Sequence, residues 1–168
     1  GGLPPQTDLL TGRAVFTTAY AVIPKGVMTD IVTSNLPFWD KTRAWVLARP
    51  LSGFAETFSQ YIMEVAAGGG SMRPETDKAA QGVIFVVKGG FTLTIAGVDH
   101  AMREGSYAYL PAGCDWQLRN STDAPATFHW VRKTYRAVDG IAAPEAFVTD
   151  ETAATTIAMP DTNGAWAT

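Results

Sequence analysis

The chain has 168 residues and a mass of 18.0 kDa, enough for one domain with a sizeable core and short of two. Hydrophobic residues make up 46% and charged residues 17%, a balance that excludes intrinsic disorder. A net charge of −3 with no run of Lys or Arg argues against nucleic acid or an anionic membrane as a partner.

Residues 1–12 read as an extended arm, because Pro4-Pro5 is unsuited to a central strand. They lack the basic and apolar stretches of a signal peptide. Together with a single cysteine, Cys114, which rules out an internal disulfide, this makes a cytoplasmic location the expectation. From residue 13 to residue 150 the pattern is that of one strand-rich domain. Arg43–Leu47, Phe58–Val65, Val83–Lys88, Phe91–Ile95, Tyr107–Leu110 and Thr127–Tyr135 are rich in β-branched and aromatic residues. Phe91, Leu93 and Ile95 alternate with Thr92 and Thr94, as in a half-buried strand. Turn signals separate the strands at Gly68-Gly69-Gly70, Gly89-Gly90, Ala96-Gly97, Glu104-Gly105 and Pro111-Ala112-Gly113. The longest apolar run, Val83–Val87, is far too short to span a membrane.

Many short strands without helical periodicity predict an all-β, two-sheet antiparallel jelly roll. Its expected core includes Phe58, Ile62, Val83, Phe85, Leu93, Tyr109 and Leu110. Residues 151–168, rich in Ala, Thr, Asp and Gly, read as a linker or mobile tail.

Two spaced motifs sharpen this. One reads Gly105-SYAYL-Pro111-Ala-Gly113-CD-Trp116-QLR-Asn120, and the other Gly69-GSMRP-Glu75-Thr-Asp77-KAAQ-Gly82-VIFVVK-Gly89. Gly89, Gly105 and Gly113 stand where hairpins turn sharply, Pro111 presets a turn, and Asn120 can close one through its own backbone. The pair resembles the two motifs of the cupins, whose fold is a double-stranded β-helix. The resemblance implies that a metal, when present, is held by three imidazoles and a carboxylate inside the barrel. Here those four places carry Glu75, Asp77, Gly82 and Trp116, while His100 and His129 lie outside both motifs.

Over roughly residues 9–150, down to the ending Lys133–Gly140 with Tyr135, the chain further resembles the N-terminal half of (S)-ureidoglycine aminohydrolase, a bicupin family of allantoin degradation. That resemblance implies a cupin half without its own metal, beside a second cupin that holds Mn²⁺ and converts ureidoglycine to ureidoglycolate and ammonia. The expected partners are therefore a second cupin domain or further copies of the chain, and this half alone is expected to be inactive. No catalytic residues carry over.

Other readings attach to single residues. Tyr61, Gln81 and Trp116 are candidates to line the barrel mouth around a small polar metabolite, with Trp116 either a stacking platform or a plug. Glu75 and Asp77, two apart and joined by Gln81, make either an oxygen-rich cation site or a solvated loop. Cys114 reads as a small buried hydrophobe before a nucleophile. His129 reads as structural, His100 as solvated in a turn, and Glu64 with Gln60 as a carboxylate pointing into the barrel.

Overall fold

The computed structural model describes residues 15–16, 21–22, 36–48 and 57–155. Strands β1 (Val15–Phe16) and β2 (Ala21–Val22) form a small antiparallel pair. The remaining strands are β3 (Asp40–Ala48), β4 (Phe58–Ser71), β5 (Ala80–Lys88), β6 (Gly90–Ile95), β7 (Val98–Arg103), β8 (Ser106–Leu110), β9 (Trp116–Arg119), β10 (Ala126–Thr134) and β11 (Phe147–Asp150). Their order is β11-β8-β5-β10-β4-β9-β6-β7, with β3 on the other flank of β4 and every pairing antiparallel. The result is the nearly closed, all-β jelly roll that the strand spacing predicts. Among the described residues no helix is long and apolar enough to cross a membrane.

The roll closes because β4 belongs to both of its sheets. Phe58–Val65 pairs with β10 while Gly70-Ser71 pairs with β9. Where the pairing with β9 begins, Gly70 takes φ +141°, and a Cβ built there would lie 2.1 Å from the Leu118 carbonyl oxygen. Only glycine admits both the backbone conformation and the close approach. Asn120, fully buried, grips the same crossing: Nδ2 donates to the Val65 carbonyl at 3.0 Å and to Ala124 at 2.8 Å. Its backbone N–H donates to Gly69, and its own carbonyl accepts from Gly68. The hairpin between β6 and β7 turns on Ala96 (φ 48°) and Gly97 (φ 82°), the mirror-image turn that suits strand twist.

Alternation sets the inside. Met63 and Val65, Ile84 and Val86, Leu93, Ala108 and Leu110, Leu118, and Phe128 and Trp130 are buried. Each large aliphatic or aromatic side chain so placed contributes about 1.5–3 kcal/mol.

Several expectations need correction. Leu93 and Leu110 are in the core, but Val83, Phe85, Tyr109, Phe58 and Ile62 lie on the opposite phase, facing away from the barrel, and Phe85 is 38% exposed. These outward side chains are as apolar or aromatic as their inward neighbours, so local alternation could not say which set turns inward. His100 is not in a turn but on β7, opposite Leu93. The strands β7, β9 and β11 were not legible because each is only four to six residues long. Glu151–Ala153 form a 3-10 turn capped by the Asp150 carboxylate. The arm at 1–12 and the tail from 156 lie outside the described residues.

Asp150 also accepts from Arg103 Nε at 3.2 Å, and hydrogen bonds from Thr152, with Arg103 behind them, hold its carboxyl down to about 2. A carboxyl depressed from 3.8 stabilises the fold above that value and loses the contribution as pH falls toward about 2. Amide exchange in β11 should therefore quicken over that window, and Asp150→Asn should abolish the pH dependence. Gly70→Ala should cost at least about 3 kcal/mol in urea unfolding, whereas Gly97→Ala, with open space around its Cβ position, should cost less.

Candidate functional site

The barrel mouth opens between the loop from β4 to β5 and the turn from β8 to β9. A cavity of about 280 Å³ lies there, walled by Trp116, Trp130, Leu110 and Pro111 and rimmed by Arg73, Glu75, Asp77, Lys78 and Asp115. Beneath it the aromatics are packed edge to face. Trp116 meets Trp130 at 5.8 Å between ring centroids and 79° between planes, and Trp39 meets Trp116 at 6.4 Å and Trp130 at 5.8 Å. Trp39 comes from just ahead of β3, and its indole N–H donates to the Pro74 carbonyl at 3.3 Å. The barrel is therefore filled with indole rings where a ligand would otherwise enter deeply.

One ion pair crosses the mouth. Arg132 projects inward from the end of β10, in phase with Phe128 and Trp130. Its Nε donates to Glu75 Oε2 at 2.6 Å while Nη2 donates to Oε1, a two-pronged clamp. The guanidinium also lies over the Trp130 ring at 5.0 Å. Both side chains are largely buried, 24% and 13% exposed. Burial by itself would lower the Arg132 pKa, but hydrogen bonds and attraction from Glu75, then from Tyr61, outweigh it and raise it. The guanidinium is a permanent cation held inside the barrel entrance.

The four positions where the cupin resemblance places metal ligands do not make a ligand set. Glu75 has both oxygens engaged by Arg132 and also accepts the Asp77 N–H at 2.8 Å. Asp77 caps the next turn by accepting from the Ala79 N–H at 2.9 Å. Gly82 has no side chain, and a Cβ there would meet Trp130 Nε1 at 3.0 Å. Trp116 is 5% exposed and fills its place with an indole. Among the described residues no three His, Cys, Asp or Glu side chains are grouped to hold an ion.

The structure brings Trp116 to the cavity wall and places Tyr61 behind it, inward and 5.7 Å from Trp130. It does not bring Gln81. That side chain sits on the outer face of β5 and accepts from the Tyr109 hydroxyl at 2.7 Å, because its neighbours Ala80 and Gly82 are the inward ones. Glu64 and Gln60 are likewise outside: Glu64 is paired with Arg43, and Gln60 lies 3.4 Å from His129 Nδ1. Burial lowers the His129 pKa. Cys114 lines the cavity, and burial followed by the nearby Asp115 pushes its thiol up, away from nucleophilic use. Arg132, Trp130, Arg73 and Trp39 were missed. The one available signal was Arg132 sharing an alternation face with Phe128 and Trp130, a cation in an apolar row. Trp39 left no local trace, since its partners are distant in sequence.

Removing one partner of the clamp should be costly. Glu75→Ala, leaving Arg132 without its counter-ion, is expected to destabilise the fold by about 2–4 kcal/mol in urea unfolding. Glu75→Ala combined with Arg132→Met should recover most of that loss.

A family model described as the EutQ-like cupin domain matches residues 52–135. A structure from Pseudomonas aeruginosa, described as a glyoxylate-induced protein, is 57% identical with a TM-score of 0.85, over 99% of this chain and 60% of that one. The E. coli protein YlbA is similar in fold, at 21% identity and a TM-score of 0.78, over 92% of this chain and 62% of its own. A cupin domain from Schizosaccharomyces pombe shares the fold at 12% identity and a TM-score of 0.53, over 69% of this chain and 77% of that domain. No curated protein matches. The chain thus spans about three fifths of the length of the first two relatives.

Proposed function

This chain belongs to the EutQ-like cupin domain family, and from that premise we propose that it is the non-catalytic barrel of a two-cupin hydrolase of the ureidoglycine aminohydrolase type. The observation that carries this reading is the Arg132–Glu75 clamp. Where a metal cupin converges imidazoles and a carboxylate, this barrel has an internal cation, a neutralised carboxylate and two indoles. A permanent guanidinium there repels a divalent ion and engages both oxygens of the Glu75 carboxylate. The relatives fit the same reading, since about two fifths of each longer chain lies outside the match.

In this proposal a second cupin supplies the Mn²⁺ chemistry, in which water adds to ureidoglycine and ammonia leaves to give ureidoglycolate. The present barrel supplies a rigid, closed scaffold. We assign it to the cytoplasm, in keeping with a lone, half-buried thiol. The mouth cavity supports a second reading, a stand-alone cupin that binds a small polar metabolite between Trp116, Arg73 and Lys78.

The deciding experiment measures metal content by mass spectrometry and ammonia release from freshly made ureidoglycine. Residues 1–168 are expected to be silent, and a longer protein carrying a second cupin is expected to turn over. Stoichiometric Mn²⁺ and turnover in residues 1–168, both abolished by Glu75→Ala, would overturn the proposal. A saturable rise in melting temperature of residues 1–168 with glyoxylate or ureidoglycolate, lost in Trp116→Ala, would favour the second reading instead.

A further inference from the structure

Three indoles meet at the barrel mouth, and only one of them has its N–H satisfied, that of Trp39 on the Pro74 carbonyl. Among the described residues no acceptor stands within hydrogen-bond reach of the Trp116 or Trp130 N–H, although these side chains are only 5% and 3% exposed. Nor is any side-chain nitrogen or oxygen among them sealed away without a partner. Both N–H groups therefore reach open space, and for Trp130 that space is identified. Its Nε1 lies 3.0 Å from where a Cβ on Gly82 would stand, and Gly82 and Trp130 both line the mouth cavity. Glycine at position 82 leaves the donor uncovered.

An indole N–H donates and cannot accept. On a ring so nearly enclosed, it calls for an acceptor oxygen from whatever occupies the cavity. The rim adds a sign to this. Among the described residues Arg73 and Lys78 enter no ion pair, and the Arg73 guanidinium lies over the Phe38 ring at 5.2 Å. Of the rim carboxylates, Glu75 is clamped by Arg132 and Asp77 accepts from the Ala79 N–H, which leaves Asp115 alone to face two cations. A bond from N–H to a charged oxygen is stronger than one to a neutral carbonyl, and the surplus cations draw an anion toward the opening. Trp116, Leu110 and Pro111 offer the rest of such a ligand an apolar wall.

We propose that the mouth cavity is a receptor for a small monocarboxylic acid with an apolar body, whose carboxylate accepts the Trp130 N–H beside Gly82. The inference rests on the second reading above, in which the cavity takes a ligand, and adds the class of that ligand. It holds whether or not a second cupin follows. Gly82 and Trp130 act as one device in it: the indole supplies the donor, and the missing side chain keeps it open to the ligand.

Nitrogen–proton correlation spectra of residues 1–168 test it directly, since each of the five tryptophans gives its own indole N–H signal. Trp130→Phe identifies the signal at issue. Titration with benzoate is expected to shift that signal downfield and to saturate, at a Kd at least about tenfold below that of benzamide, which has the same shape without the charge. Gly82→Ala, whose methyl would crowd the N–H, should weaken benzoate about tenfold or more with the dispersion of the spectrum retained. Arg73→Gln combined with Lys78→Gln should weaken benzoate more than benzamide. Should Gly82→Ala fail to fold, the two titrations of the wild type decide. Benzamide binding as tightly as benzoate through the same signal would overturn the acid as the ligand class while upholding the cavity as a ligand site. A Trp130 signal that neither compound moves would overturn the inference outright, and the second reading would then be judged by its own titration with glyoxylate.

Discussion

At the crossing of β4 from one sheet to the other, the backbone of Gly70 lies against Leu118 and Arg119, and that of Gly69 against Asp40 and Ala66, with no room for a side chain. Asn120 holds the strand on both sides of the bend, through Val65 before it and through Gly68 and Gly69 at it. This clasp joins the start of one sequence motif to the end of the other, although they are some fifty residues apart in the chain. Without it β9, β6 and β7 would have no strand to extend from, and the sheet would stay open along β4. The buried amide also satisfies carbonyls that would otherwise be orphaned in the interior, which is why a polar residue can sit there fully enclosed.

The second organising feature is the ion pair and the cluster of indoles at the barrel mouth. A metal site needs several ligands converging on an empty point of space. Here Trp116 and Trp130 wall the mouth cavity, Gly82 makes room for Trp130, and Arg132 engages both oxygens of Glu75. A buried ion pair is weak as a source of net stability, because desolvation cancels most of its attraction. Its better-founded role is specificity: it fixes the loop between β4 and β5 against β10, and with it the geometry of the mouth. Trp39 completes the arrangement from ahead of β3 and ties the Pro74 carbonyl to the aromatic stack.

Inside and outside are linked through the same strands. The residues of β5 and β10 that do not face the barrel form rows that pair His129 with Phe85 and Val131 with Val83. Burial lowers the His129 pKa on this face.

Length, composition, turn glycines and the two spaced motifs were enough to establish an all-β barrel of cupin type, because hairpin turns and strand periodicity are local constraints written residue by residue. That Glu75, Asp77, Gly82 and Trp116 stand at the four motif positions was also visible, since it needs only the identities there. The inward phase of β4, β5 and β8 was not. Alternation reports a phase only when one face is wet, and Phe58, Ile62, Val83 and Phe85 are as apolar as the Met63, Val65, Ile84 and Val86 that point inside. Tertiary structure decided that phase through the register against β10. The same register sent Gln81 outward to Tyr109 and Glu64 to Arg43. It also brought Arg132 to Glu75 and Trp39 to Trp116, pairings between residues that are strangers in sequence and meet only once the sheet has rolled.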